Sequence, residues 1–273
     1  MKLIDFDGLF DEKLARYMEE NKDKYTERQW EDVIPRLYQK FGDTYVSKVK
    51  CTPKEYYAKM TDEELTDTLA KHLESDVPVP EFLCDEIEKR DCTQALLALL
   101  DSNDESTVSY ALHLIGVDKR AYSKYFEILV ENRIGKELQD EVTEVFKFDA
   151  DTVKDDAFSY YQKGMATEYM LEILSRVKER DEDVYNVLLK AFMAAEDAQS
   201  ALCAGYLAAY GDERALPYLL RRIEDRSIGF VEFQELKYAI EALGGEYNEP
   251  RDLTADKDYL AIEAASSKTE VKS

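Results

Sequence analysis

Four cysteines, two histidines and a large surplus of carboxylates are the residues from which any chemistry in this 273-residue chain must be built. Cys51, Cys84, Cys92 and Cys203 are widely spaced and form no CxxC pair, which argues against a disulfide framework or a thiolate zinc site and for buried thiols. A cysteine nucleophile needs a histidine beside it in space. His113, in YALHLIG next to core positions, reads as a structural histidine, and His72, after a lysine on an amphipathic helix, reads as a surface residue. Two acidic stretches, Asp5–Glu12 and Asp149–Asp156, invite a calcium reading, but neither supplies acids at the first, third and fifth positions with glycine at the sixth and glutamate at the twelfth. The second stretch reads instead as favourable charge at a helix N-terminus. A P-loop, a GxGxxG turn, a GxSxG elbow and an HExxH helix are all missing from the sequence. With 59 acids some carboxylate pairs fall close by chance, so no general acid or base is assigned. The expectation is no catalytic residue, no metal and no cofactor.

The charge balance narrows the partners. Against the 59 acids stand 36 bases, a formal net charge of −23. Nucleic-acid binding depends on neutralising phosphates with Lys and Arg, and no dense basic stripe runs along this chain, so nucleic acid is not an expected partner. A cationic protein or peptide is. No run approaches the roughly 20 apolar residues that span a bilayer, and MKLIDFDGLFDEKL carries acids where a secretory signal has a long apolar stretch. The reading is a soluble, cytoplasmic protein with no membrane partner.

Nearly every segment that would position such residues reads as helix, and no strand pattern stands out. Thr26–Gln29, Thr52–Glu55 and Thr61–Glu64 are three capping boxes, the second with Pro53 at the first helical position. Trp30, Val33, Ile34, Leu37 and Phe41 form one apolar stripe at spacings of one, three and four, within which Pro35 is expected to bend or break the helix. Gly116, Gly164, Gly211 and Gly244 each follow an apolar helix, at intervals of 48, 47 and 33 residues. Glycine can take the left-handed conformation that ends a helix, and periods of roughly 35 to 50 residues belong to two-helix repeats. After Gly116, Ala121, Tyr122, Tyr125, Phe126 and Leu129 share a face; after Gly211, Ala215, Leu216, Leu219, Leu220 and Ile223 do the same. The nineteen tyrosines include the pairs Tyr56-Tyr57 and Tyr160-Tyr161, and helical geometry requires at least one member of each pair to be partly exposed.

Residues 200–225, SALCAGYLAAYGDERALPYLLRRIED, resemble the HEAT repeats, including the HEAT-like repeats of phycobilisome lyases, in Gly211-Asp212, Ala215-Leu216-Pro217 and Leu219-Leu220. Residues 96–116 resemble the other half of the pattern, with Leu96, Leu97, Leu99 and Leu100 before Asp104 and Val108, and 236–245 look like the first helix of a further copy. Ser109 stands where the family commonly carries a basic residue paired with the turn aspartate. The resemblance implies that second helices line a concave side, where Lys124, Tyr218 and Arg221 would face a groove. It also implies rival activities, those of bilin lyases and of DNA glycosylases for alkylated bases. A further rival, from the charge alone, is an acidic mimic of nucleic acid.

The expected fold is therefore all-α, an α-α superhelix of antiparallel helical hairpins. Residues 1–78 form a helical cap, 79–265 the repeat array and 266–273 a disordered tail. The expected function is a non-enzymatic protein-interaction scaffold.

Overall fold

The computed structural model describes residues 3–270, and every regular element within them is helical; the one β-type pairing is an isolated bridge between Val46 and Cys51. Two compact units divide at Gln139 and Asp140. The first contains α1 (Phe6–Glu20), α2 (Glu27–Gly42), α3 (Pro53–Ala58), α4 (Asp62–Leu73), α5 (Glu81–Arg90), α6 (Thr93–Leu96), α7 (Glu105–Ile115), α8 (Tyr122–Glu131) and the start of α9 (Lys136–Phe148). A 3-10 turn, Leu97–Asp101, follows α6, so the leucine-rich segment is wound more tightly than a full helix. The second unit contains α10 (Ala150–Gln162), α11 (Thr167–Leu174), α12 (Glu182–Ala194), α13 (Asp197–Tyr210), α14 (Leu216–Ile223), α15 (Phe230–Ala242) and α16 (Lys257–Glu270). Neighbouring helices pack throughout each unit.

Local chemistry starts and stops these helices where the sequence indicates. All three capping boxes form: the side chains of Thr26, Thr52 and Thr61 accept from the third helical amide, and Gln29, Glu55 and Glu64 accept from the cap amide. The four glycines have φ of +58°, +72°, +74° and +82°, and at Gly211 the left-handed residue sends its N–H back to the Leu207 carbonyl and closes α13. Pro35 does not break α2, which runs through it; the residue is exposed, so the Glu31 carbonyl it leaves without an amide faces water. The segment 236–245 contributes to α15, which packs against both α13 and α14. The final segment overlaps α16 through Glu270, and 271–273 lie outside the described residues.

Both histidines lie opposite to the sequence reading. His72 is buried, in line with Leu65 and Leu69 on α4, and its Nδ1 meets the Val77 carbonyl at 3.2 Å. His113 is exposed, because Val108, Ala111, Leu112 and Ile115 define the inner face of α7 and position 113 falls off it. The first 78 residues are also not set apart as a unit. α3 packs on α5 and α4 on α5, α6 and α7, so they share a core with the helices that follow.

Short helices leave many unpaired carbonyls at their C-termini, and four arginines close them. Arg90 donates from Nη1 to the Met60 carbonyl and from Nη2 to that of Ala58, both at 2.6 Å. Arg133 forks onto Leu100 and Ser102 at the end of the 3-10 turn. Arg180 reaches Tyr210 and Gly211 at the end of α13, and Arg251 donates from Nη2 to Ile223 and Asp225 beyond α14. Each partner lies between 26 and 33 residues away in sequence. A planar guanidinium presents parallel donors that an ammonium cannot, and it adds positive charge where the helix dipole favours it.

A second device recurs once in each unit. Asp118 accepts from the amide and guanidinium of Arg120, which reaches back to Asp91 at 2.6 Å; Asp212 holds Arg214 in the same way, and Arg214 reaches Glu182 at 2.9 Å. The Arg120 guanidinium, with the Thr93 hydroxyl, holds the Asp118 carboxyl down at about 2. Because that value is depressed, the stabilisation is present above the ordinary carboxylate value near 4 and is lost as pH falls through about 2.

Two outcomes follow. Arg133→Ala should lower the unfolding free energy of the chain in urea by about 2 kcal/mol, a range set by charge-assisted hydrogen bonds, with Arg133→Lys recovering less than half. Asp118→Asn should lower stability at pH 7, and its acid unfolding followed by circular dichroism should converge with that of the parent chain between pH 4 and 2.

Candidate binding groove

The three residues assigned to a groove do not form one cluster. Lys124 lies on α8 in the first unit, where its ammonium is held by Asp101 at 2.8 Å and Glu127 at 3.2 Å. Tyr218 and Arg221 are exposed on α14 in the second unit, one turn apart. The larger of the concavities described in that unit is elsewhere.

That concavity begins with α13, whose sequence SALCAGYLAAY is rich in small residues. Cys203, Ala204, Leu207 and Tyr210 turn inward and are buried, as α13 packs against α12 and α15. The outer side carries Ala198, Gly205, Ala208 and Ala209, too short to fill the space above it, with Leu202 among them. Glu172 of α11 and Arg176 in the turn after it raise one wall, and α15 raises the other with Glu235, Tyr238 and Ala242. Between them lies a groove of about 600 Å³. Neither Tyr218 nor Arg221 lines it.

Gly205 is the most informative residue on the groove floor. It sits inside a regular helix, where glycine costs about 0.5–1 kcal/mol relative to alanine. No left-handed backbone requires it, and a methyl group added there would meet no atom within 4 Å. Close to it, Leu202 is 43% exposed and Tyr238 64%, large apolar surfaces that the unit leaves open.

The groove has little capacity for chemistry of its own. Glu172 is engaged by Lys147 at 2.8 Å, and the buried Ser175 hydroxyl donates to the Glu172 carbonyl at 2.6 Å. Burial pushes the Tyr206 hydroxyl up, and burial, with help from Glu168, pushes the neighbouring Cys203 thiol up to about 11. Both stay protonated at neutral pH. Cys84 and Cys92, in the first unit, are likewise pushed up to about 11, chiefly by burial. Among the described residues no group of three or more His, Cys, Asp or Glu side chains is placed to hold a metal ion, and no helix is long and apolar enough to cross a membrane.

Ionisable groups also gather in a partly buried polar cluster of the first unit. Tyr38 donates to Asp7 at 2.5 Å, and burial raises Asp7 although that hydrogen bond opposes it. Tyr57 Oη and His72 Nε2 are buried there without a hydrogen-bond partner. Tyr38 also stacks on Phe82 at 4.6 Å, which ties the cluster to the apolar core.

No family model, curated protein or solved structure matches this chain. Sequence reasoning missed Leu202, Gly205 and Tyr238, although a glycine inside an alanine-rich helix was a visible signal. If Gly205 serves an external contact, Gly205→Ala should stabilise the isolated chain by about 0.5–1 kcal/mol in urea unfolding, the helix-propensity difference, with no change in its circular dichroism spectrum.

Proposed function

We propose that this protein is a non-enzymatic, HEAT-like helical-repeat scaffold, and that the groove of its second unit docks a segment of a partner protein. The observation that carries the reading is Gly205. A glycine that weakens its own helix, where an added methyl group would meet no atom of its unit within 4 Å, is best accounted for by a backbone or side chain that approaches from outside. The small residues beside it allow close approach, and Leu202 and Tyr238 supply apolar area at the flanks.

The repeat reading is supported by the hairpins that follow positive-φ glycines and by two similar arginine–carboxylate links of 29 and 32 residues, Arg120 to Asp91 and Arg214 to Glu182. Stacked repeats make elongated surfaces from neighbouring helices, and binding of protein segments is their common use. Glu172 is paired with Lys147 and Arg176 lines the same groove as Glu235, so it is the formal net charge of −23 of the whole chain that favours a segment of net positive charge.

Photo-cross-linking side chains placed at Leu202 and Tyr238 should trap one defined protein, whereas the same group at exposed Tyr45 should not. Gly205→Leu, which fills the groove, should abolish the product and leave the helical signal intact. Turnover of a small molecule by the purified chain, with no cross-link at either position, would overturn the proposal.

A further inference from the structure

The first unit holds a smaller cleft of opposite charge. α1 and α2 pack as a hairpin, yet the apolar stripe of α2 is covered only at one end: Phe41 is buried, while Trp30, Val33, Ile34 and Leu37 remain half exposed. Opposite them on α1, Leu14 and Tyr17 are also half exposed. Between the two helices lies a cleft of about 250 Å³, with Phe10 and Phe41 packed at 5.7 Å on its floor.

The rims carry the charge. Lys13 stands on α1 and Lys40 on α2, and among the described residues neither ammonium lies within ion-pair distance of a carboxylate. Other lysines among the described residues, such as Lys59, Lys71, Lys119 and Lys190, also form no ion pair; what marks Lys13 and Lys40 is that they line one cleft whose lining carries no carboxylate. Lys13 places its ammonium over the Phe41 ring instead, 4.7 Å from the centroid, a contact that leaves its donors available.

From this juxtaposition we infer that the α1–α2 cleft binds an acidic peptide segment that inserts one or two large apolar side chains between Phe10, Leu37 and Phe41 and sets carboxylates against Lys13 and Lys40. Cations on both rims call for carboxylates on both sides of an apolar anchor. A fatty acid carries one carboxylate at the end of its chain and satisfies only one rim. A second copy of this chain would bring a further net charge of −23 to the contact, which opposes self-association. The site is independent of the groove in the second unit and selects the opposite sign of charge.

An array of peptides in which one or two Leu or Phe residues are flanked by Asp or Glu at spacings of one to four tests this against the full-length chain. The best binder, measured by fluorescence anisotropy, should lose at least tenfold in affinity when its acids become Gln or Asn, when its apolar anchors become Ala, and in the Lys13→Gln/Lys40→Gln double variant. Its affinity should fall with added salt. Carbodiimide coupling of the peptide carboxylates, mapped by mass spectrometry on the unaltered chain, should join them to Lys13 and Lys40, a readout that does not depend on how the variants fold. The inference is overturned if no array member binds, if coupling avoids both lysines, or if octanoate displaces the peptide at equal concentration.

Discussion

The ends of short helices are the constraint on which this molecule depends. Its helices run from four residues in α6 to sixteen in α2, and each ends in carbonyls that no further turn of helix can satisfy. Buried without a partner, such groups cost on the order of 1–3 kcal/mol apiece. Arg90, Arg133, Arg180 and Arg251 meet this cost from roughly 30 residues away, each joining two segments of its own unit. The arginines therefore define how successive hairpins follow one another. They are structural cations before they are surface ones.

This use of arginine changes the meaning of the acidic composition. Many of the bases are committed inside the fold, to helix ends or to the Asp118–Arg120 and Asp212–Arg214 pairs. What distinguishes a lysine here is therefore its setting rather than its lack of an ion pair. Lys13 and Lys40 line a cleft without carboxylates, whereas Lys124, chosen from its place in the repeat pattern, is held by two carboxylates.

Packing economy points to the same conclusion for apolar surface. The inner faces of α8 and α14 are closed by Tyr125, Phe126, Leu219 and Ile223, all at most 2% exposed. Against that standard the open floor of α13 and the half-covered stripe of α2 are exceptions. One is a groove floored by small residues, and the other is a shallow cleft floored by aromatic rings.

The sequence by itself determined what depends on neighbours within a turn or two: the three capping boxes, the positive-φ glycines, the all-helical class and the buried faces at 121–129 and 215–223. These are set by local hydrogen bonds and by helical periodicity, which a single strand of text preserves. Tertiary structure alone decided which arginine closes which helix, because those bonds join residues some 30 positions apart with no periodic signature. It also decided the histidines: Leu65, Leu69 and His72 shared a helical face on paper, but only the neighbours around α4 made that face an inner one. The groove and the cleft are likewise tertiary facts, since a cavity is what several helices leave unfilled, and no one helix encodes the space between itself and the next.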